Sequence, residues 1–175
     1  MSVDIFISES EIQERVKELA KKINADFAGE ELHVIGVLNG AFVFMADLVR
    51  HLTIPVTIEF MSASSYGDST ESSGELKINL DIKTDIKGKN VLIVEDIVDT
   101  GLTLSVLRKN LEARGSKTLK LASLLFKPAR NIHKVDIDYL AFEIEDKFVI
   151  GYGLDFAGRY RELPYIGIYS PAGEE

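Results

Sequence analysis

A chain of 175 residues, 46% of them hydrophobic, is long enough to bury a sizeable core, and one domain spanning 1–175 is the expected organisation. The absence of cysteine excludes disulfides, thiolate metal sites and cysteine nucleophiles, and a formal net charge of −8 argues against a nucleic-acid backbone as partner. The opening MSVDIFISES lacks the basic and apolar regions of a secretory leader and no stretch reaches the roughly 18 apolar residues of a membrane span, so a cytoplasmic protein without a membrane partner is expected.

Ile12, Val16, Leu19, Ile23 and Phe27 recur three or four apart and predict an amphipathic helix, opened by a Ser8–Glu11 capping box and closed near Gly29. LHVIGVL (32–38) reads as a buried strand, NGAF turns the chain into a second apolar helix ending near His51, and VTIEFMSA (56–63) reads as the next strand. Small and polar residues then dominate SASSYGDSTESSGE (62–75), which predicts a mobile loop. LKINLDI (76–82) alternates apolar and polar residues as a strand with one wet face does, so loop and flanking strands predict a long hairpin.

After the turn IKGK, VLIV (91–94) reads as a buried strand. A helix follows over 102–113 and stops at Gly115, then TLKLASLLF (118–126) supplies another strand. DYLAFEI and FVIGYG are short apolar runs separated by the turn EDK. Alternation with short connections predicts an α/β fold: a mainly parallel twisted sheet flanked by helices on both faces, without internal repeats.

The chemistry concentrates where VLIV runs into EDIVDTGLT. Ligands of open α/β sheets bind beyond the carboxyl ends of the strands. There the amides opening a helix after Asp99, with Gly101 permitting close approach and the hydroxyls of Thr100 and Thr103, form a cradle for one phosphate monoester. Glu95 and Asp96 would repel a phosphate; they suit the vicinal hydroxyls of a ribose or, through water, a divalent cation. Asp99 stands at the helix entrance as a candidate proton acceptor. The three histidines, His33, His51 and His133, have no ligand-like spacing and read as structural or surface residues.

Four apolar residues, two acids, two apolar residues and D-T-G-x-T resemble the ribose-phosphate signature of type I phosphoribosyltransferases. LNGAFVF, Ser65-Tyr66, SLLFKPAR, DKFVIGYGLD and the arginine of GRYREL occur in the order found in the hypoxanthine-guanine branch of that family. The resemblance covers nearly the whole chain. It implies the family's fold, with a long flexible hairpin loop and a small purine-binding hood, and a magnesium-dependent purine-salvage enzyme. Such an enzyme joins hypoxanthine or guanine to 5-phosphoribosyl pyrophosphate (PRPP) through an oxocarbenium-like centre.

By that resemblance Asp99 is the catalytic base beside purine N7, Glu95 and Asp96 hold the ribose hydroxyls, and Asp99, Thr100, Gly101, Leu102 and Thr103 bind the 5′-phosphate. Leu38, Asn39 and Gly40 match the pyrophosphate loop, whose first peptide bond in the family is similar to a non-proline cis bond, and Arg161 matches a pyrophosphate contact. One common version of the loop has a basic residue where Asn39 stands, which shifts the leaving-group charge onto magnesium, loop amides and Arg161. Lys127, Phe148, Val149 and Asp155 match the purine side. A donor-only ammonium at Lys127 suits the O6 acceptor of a 6-oxopurine and disfavours the amino group of adenine.

Magnesium would be held by Glu95, Asp96 and Asp155. Ser65 and Tyr66 would form a lid that keeps water from the ribosyl centre, so Tyr66→Ala is expected to lower turnover more than stability. The resemblance also implies a homodimer or homotetramer, with the first long helices as candidate contacts. The rival readings are a phosphoribosyltransferase for adenine, xanthine or a pyrimidine, which would keep the cradle, and a regulatory relative that binds RNA, which would need a basic face. A P-loop NTPase is excluded because no G-x-x-x-x-G-K-[ST] occurs.

Overall fold

The computed structural model describes residues 2–65 and 75–170. Its elements are β1 (Ser2–Ile7), α1 (Glu9–Asp26), β2 (Leu32–Val37), α2 (Phe42–Arg50), β3 (Val56–Ser65), β4 (Leu76–Leu80), β5 (Asn90–Val98), α3 (Leu102–Glu112), β6 (Thr118–Phe126), a single 3-10 turn (Pro128–Arg130), β7 (Tyr139–Glu143), β8 (Val149–Ile150) and β9 (Ile166–Ser170). Six strands form one sheet in the order β4-β3-β2-β5-β6-β7, parallel except for the antiparallel edge strand β4. Three more form a separate sheet, β1-β9-β8, in which β9 pairs antiparallel with both neighbours.

The apolar periodicities place the helices. Ile12, Val16, Leu19, Ala20 and Ile23 make the buried stripe of α1, and the Ser8–Glu11 capping box supplies its N-terminus as the sequence predicts. With Phe44, Met45 and Leu48 of α2, that stripe packs on the sheet face presenting Val34, Leu92 and Val94. The other face presents Ile35, Ile93 and Leu121 to Leu104, Leu107 and Leu111 of α3. Strands covered on both sides need no polar face, which is why 32–37 is buried at every position.

Three expectations change. The strand expected over 91–94 continues to Val98, pairing Glu95 with Ser123 and Ile97 with Leu125, so the two acids lie on a central strand. Ser62, Ala63, Ser64 and Ser65, expected in the loop, instead pair with β4; small polar residues read as loop from composition, yet a sheet edge accepts them. The terminal strands β1 and β9 were not expected, since their pairing joins opposite ends of the chain and leaves no local trace. Tyr66 and most of the expected lid lie outside the described residues. Among the described residues no helix is long and apolar enough to cross a membrane.

Candidate active site

At the carboxyl ends of β2 and β5, a cleft of about 300 Å³ is lined by Leu38, Asn39 and Gly40 from one loop and by Glu95, Asp96, Asp99, Thr100, Gly101 and Thr103 from the other, with Asp155 and Arg161 closing it from the β8–β9 connection. Eleven of the expected site residues therefore meet at one place. Leu102, Lys127, Phe148 and Val149 do not line this cleft, and Tyr66 and the side chain of Ser65 fall outside the described structure.

The two loops meet at Gly40. A Cβ there would stand 1.6 Å from Asp96 Oδ2, and one on Gly153 would stand 2.1 Å from the Gly40 carbonyl oxygen, so the layers stack only where no side chain intervenes. The Leu38–Asn39 peptide is cis, and Leu38 is anchored by its N–H donating to the Met61 carbonyl at 2.8 Å. The Asn39 side chain is exposed. Arg161 donates through Nη1 to the Gly153 carbonyl at 2.6 Å and sits 3.1 Å from Asp155 Oδ1 through Nη2, so the same arginine braces the hood loop and faces the cleft. The other Asp155 oxygen accepts from the Gly158 amide at 2.7 Å.

Among the described residues, the amides of Thr103 and Leu104 at the start of α3 donate to no protein acceptor, and that of Leu102 makes only a long 3.4 Å bond to Thr100 Oγ1. A helix opening this way into a cleft is an anion site. Gly101 lines the cleft and also meets a second constraint: at φ +83° a Cβ there would come within 2.1 Å of the His133 carbonyl oxygen, so only glycine admits the segment after the 3-10 turn. That segment is tied down: the Ile132 and His133 amides donate to the Thr100 carbonyl at 3.1 and 2.9 Å.

Glu95 is 7% exposed, and burial, followed by the neighbouring Asp96 charge, pushes its carboxyl well above the ordinary carboxylate range. Its Oε1 accepts from the Asp96 amide at 3.0 Å, and Asp96 Oδ1 accepts from the Ile97 amide at 2.6 Å. An acid pair of one buried and one half-buried carboxyl is stabilised by hydroxyl donors or a divalent cation, and the donor set fits either. Among the described residues no three acids or histidines converge into a ready-made cation site.

Asp99 is held by a partner that the motif did not assign. Arg130 Nε donates to its Oδ1 at 2.6 Å, and that bond, followed by the charges of Asp99 and Asp146, raises the guanidinium's own affinity for its proton. Lys127, 7% exposed at the end of β6, is joined to the cleft by its amide, which donates to the Val98 carbonyl at 3.0 Å; its ammonium lies 3.5 Å from Asp146 Oδ1. Phe148 is 52% exposed and meets Phe156 and Tyr169 edge-on, with ring centroids 5.8 and 6.0 Å away, an apolar face turned to solvent. Val149 is buried in β8 opposite Ile168. His33 is buried between Thr57 and Glu59 and is structural, as expected. Arg130 and Asp146 lie inside the motifs SLLFKPAR and DKFV; a second cation three residues after Lys127 was the available signal.

The family model described as phosphoribosyl transferase domain matches residues 8–157. The chain is 48% identical over 168 residues to a hypoxanthine-guanine phosphoribosyltransferase of Bacillus subtilis, covering 96% of this chain and 93% of the relative. It is 45% identical over 168 residues to a hypoxanthine phosphoribosyltransferase of Escherichia coli, covering 95% and 94%. Among solved structures, a hypoxanthine-guanine phosphoribosyltransferase of Bacillus anthracis superposes with a TM-score of 0.92 at 50% identity, covering 95% of this chain and 98% of that one.

Proposed function

The chain belongs to the phosphoribosyl transferase domain family, and from that premise we propose that it serves purine salvage, joining hypoxanthine or guanine to the ribosyl carbon of PRPP and forming IMP or GMP with release of pyrophosphate. The observation that carries this reading is the pairing, in one cleft, of open helix amides with the acids Glu95, which is buried, and Asp96, which is half-buried. A terminal phosphate and a sugar's hydroxyls need those two environments side by side.

In this reading the 5′-phosphate rests on the residues from Asp99 to Thr103, Leu102 contributing its backbone, while Glu95 and Asp96 accept the ribose hydroxyls. Pyrophosphate lies against Leu38, Asn39, Gly40 and Arg161. The bond from C1′ to the pyrophosphate oxygen breaks with its electron pair leaving on pyrophosphate, the purine N9 lone pair forms the new bond to C1′, and the N7 proton passes to Asp99. Lys127 donates to O6, and Phe148 offers a face for stacking, worth about 1–3 kcal/mol per base on the scale of nucleic-acid binders. Asp155 and the backbone of Val149 complete the purine side.

The cation is magnesium, for which Glu95, Asp96 and Asp155 supply hard oxygens. When bound it neutralises the departing polyanion. Ser65 and Tyr66 are assigned to the lid. The chain works as one domain in the cytoplasm. It assembles as a homodimer or homotetramer, a reading supported by Ile58, Phe60 and Leu80, which expose apolar surface on one face of β3 and β4; light scattering on the purified protein tests the assembly.

The activity test supplies PRPP and magnesium with hypoxanthine, guanine, xanthine and adenine in turn. Nucleotide is expected from hypoxanthine or guanine and not from adenine, and Asp99→Asn is expected to lower the rate while PRPP affinity survives. No nucleotide from any 6-oxopurine would overturn the assignment.

A further inference from the structure

Between the proton acceptor and the base-recognition lysine runs an unbroken chain of alternating charges. Asp99 Oδ1 is 2.6 Å from Arg130 Nε; Arg130 Nη1 is 3.7 Å from Asp146 Oδ2; the other oxygen of Asp146 is 3.5 Å from Lys127 Nζ. The two cations are mounted together, because Lys127 and Arg130 close one 3-10 turn, with the Arg130 amide donating to the Lys127 carbonyl at 3.2 Å. The Asn131 side chain ties the same turn to the Asp99 carbonyl at 3.4 Å. Asp146 comes from elsewhere, the connection between β7 and β8 at the root of the three-stranded sheet.

This arrangement conflicts with a carboxylate that must take up a proton. A guanidinium bonded to Asp99 favours its ionised form, so it keeps the acid ready before the purine arrives and opposes protonation once it has. The cost falls if the guanidinium has a second anion within reach at the moment Asp99 becomes neutral. Asp146 is that anion. Arg130, Asp99 and Asp146 keep 47%, 39% and 48% of their side chains exposed, and ion pairs this wet are worth so little individually that exchange between them is facile.

Resting on the transferase reading above, we propose that Arg130 and Asp146 are positioning residues for the reaction: Arg130 holds Asp99 as a carboxylate until the purine binds and passes to Asp146 as the N7 proton moves onto Asp99. One N–H bond breaks, one O–H bond forms, and the guanidinium changes partner without changing protonation. Lys127, sharing the same carboxylate, ties this exchange to the residue that reads O6.

The test compares wild type, Asp146→Asn, Asp146→Glu, Arg130→Gln and the Asp146→Asn/Arg130→Gln double variant in steady-state turnover of hypoxanthine with PRPP and magnesium across pH. In Asp146→Asn the guanidinium has nowhere to go, so kcat is expected to fall about two- to fivefold, the range that ion pairs this exposed support, with the KM for PRPP little changed. The double variant is expected to turn over faster than Asp146→Asn alone, since removing the guanidinium removes what opposes protonation, and Asp146→Glu restores more rate than Asp146→Asn. An unchanged kcat in Asp146→Asn, or a double variant slower than Asp146→Asn, overturns the exchange while wild-type activity and its loss in Asp99→Asn leave the enzyme assignment standing. A wild type that makes no nucleotide removes both.

Discussion

Gly40 and Asp96 touch across the floor of the cleft: a Cβ on Gly40 would stand 1.6 Å from Asp96 Oδ2 and 2.6 Å from its Cγ. Because the obstacle is a side chain, Gly40→Ala leaves the fold a way out, which is to turn Asp96 aside and break its 2.6 Å bond with the Ile97 amide. That costs about 1 kcal/mol of stability. With Asp96 as the proposed ribose ligand, displacing it by an ångström or so is far more harmful to the reaction and is expected to lower kcat/KM for PRPP roughly a hundredfold. Thermal unfolding beside steady-state kinetics separates the two effects, and an unchanged KM for PRPP would remove Asp96 from the ribose site.

In the proposed reading, Lys127 carries the discrimination between 6-oxo and 6-amino purines. Lys127→Gln replaces a donor-only cation with an amide that both donates and accepts. A hydrogen bond to a charged group is worth about 1.5–3 kcal/mol, so kcat/KM for hypoxanthine is expected to fall roughly ten- to hundredfold. Adenine should gain relative to hypoxanthine, because its amino group now finds an acceptor. Competition between the two purines checks this directly, and a fall of equal size for both would make Lys127 a structural residue.

Cation binding should depend on substrate. Glu95, Asp96 and Asp155 offer hard oxygens, yet among the described residues no three acids converge on one point. Magnesium commonly completes its shell with water and substrate phosphates. Calorimetry is therefore expected to find weak magnesium binding to the protein alone and much tighter binding once PRPP is present, and chelation should abolish turnover reversibly. Tight binding without PRPP would contradict this.

Much of this site was legible because its chemistry is written on a short stretch. The run from Val91 to Thr103 carries apolar strand, acids, glycine and hydroxyls in sequence, and the structure brings its acids, glycine and threonines to one cleft. What was hidden depends on distance along the chain. Arg130 reaches Asp99 from 31 residues away, Asp146 faces it from a different connection, and β1 finds β9 at the far end of the protein. A second constraint on Gly101 was hidden for the same reason: the D-T-G turn suggests a close approach, and only the fold shows that the His133 carbonyl also leaves no room for a side chain there.

A last prediction concerns stability away from the chemistry, where Tyr152 and Asp47 join the three-stranded sheet to α2. Tyr152 is 2% exposed, and its hydroxyl donates to Asp47 Oδ2, which also accepts from Gln13 Nε2 at 3.1 Å; Arg50 holds the other oxygen. Burial pushes the Asp47 carboxyl up, but the hydrogen bonds from Tyr152, Gln13 and Arg50 outweigh it and hold the group below its ordinary value. Burial, followed by Asp47, pushes the Tyr152 phenol well above its ordinary value. A lowered acid contributes stability that is present above its unfolded pKa, about 4, and is lost as pH falls through the folded value; a raised phenol contributes stability that is present below about 10 and is lost as pH rises beyond it. Tyr152→Phe is therefore expected to cost about 1 kcal/mol across the interval between those limits, with the gap to wild type narrowing below the lower limit and above the upper one. Denaturant unfolding of both proteins over that range measures the gap, and a difference that stays constant at every pH would mean that the pair contributes packing and no ionic hydrogen bond.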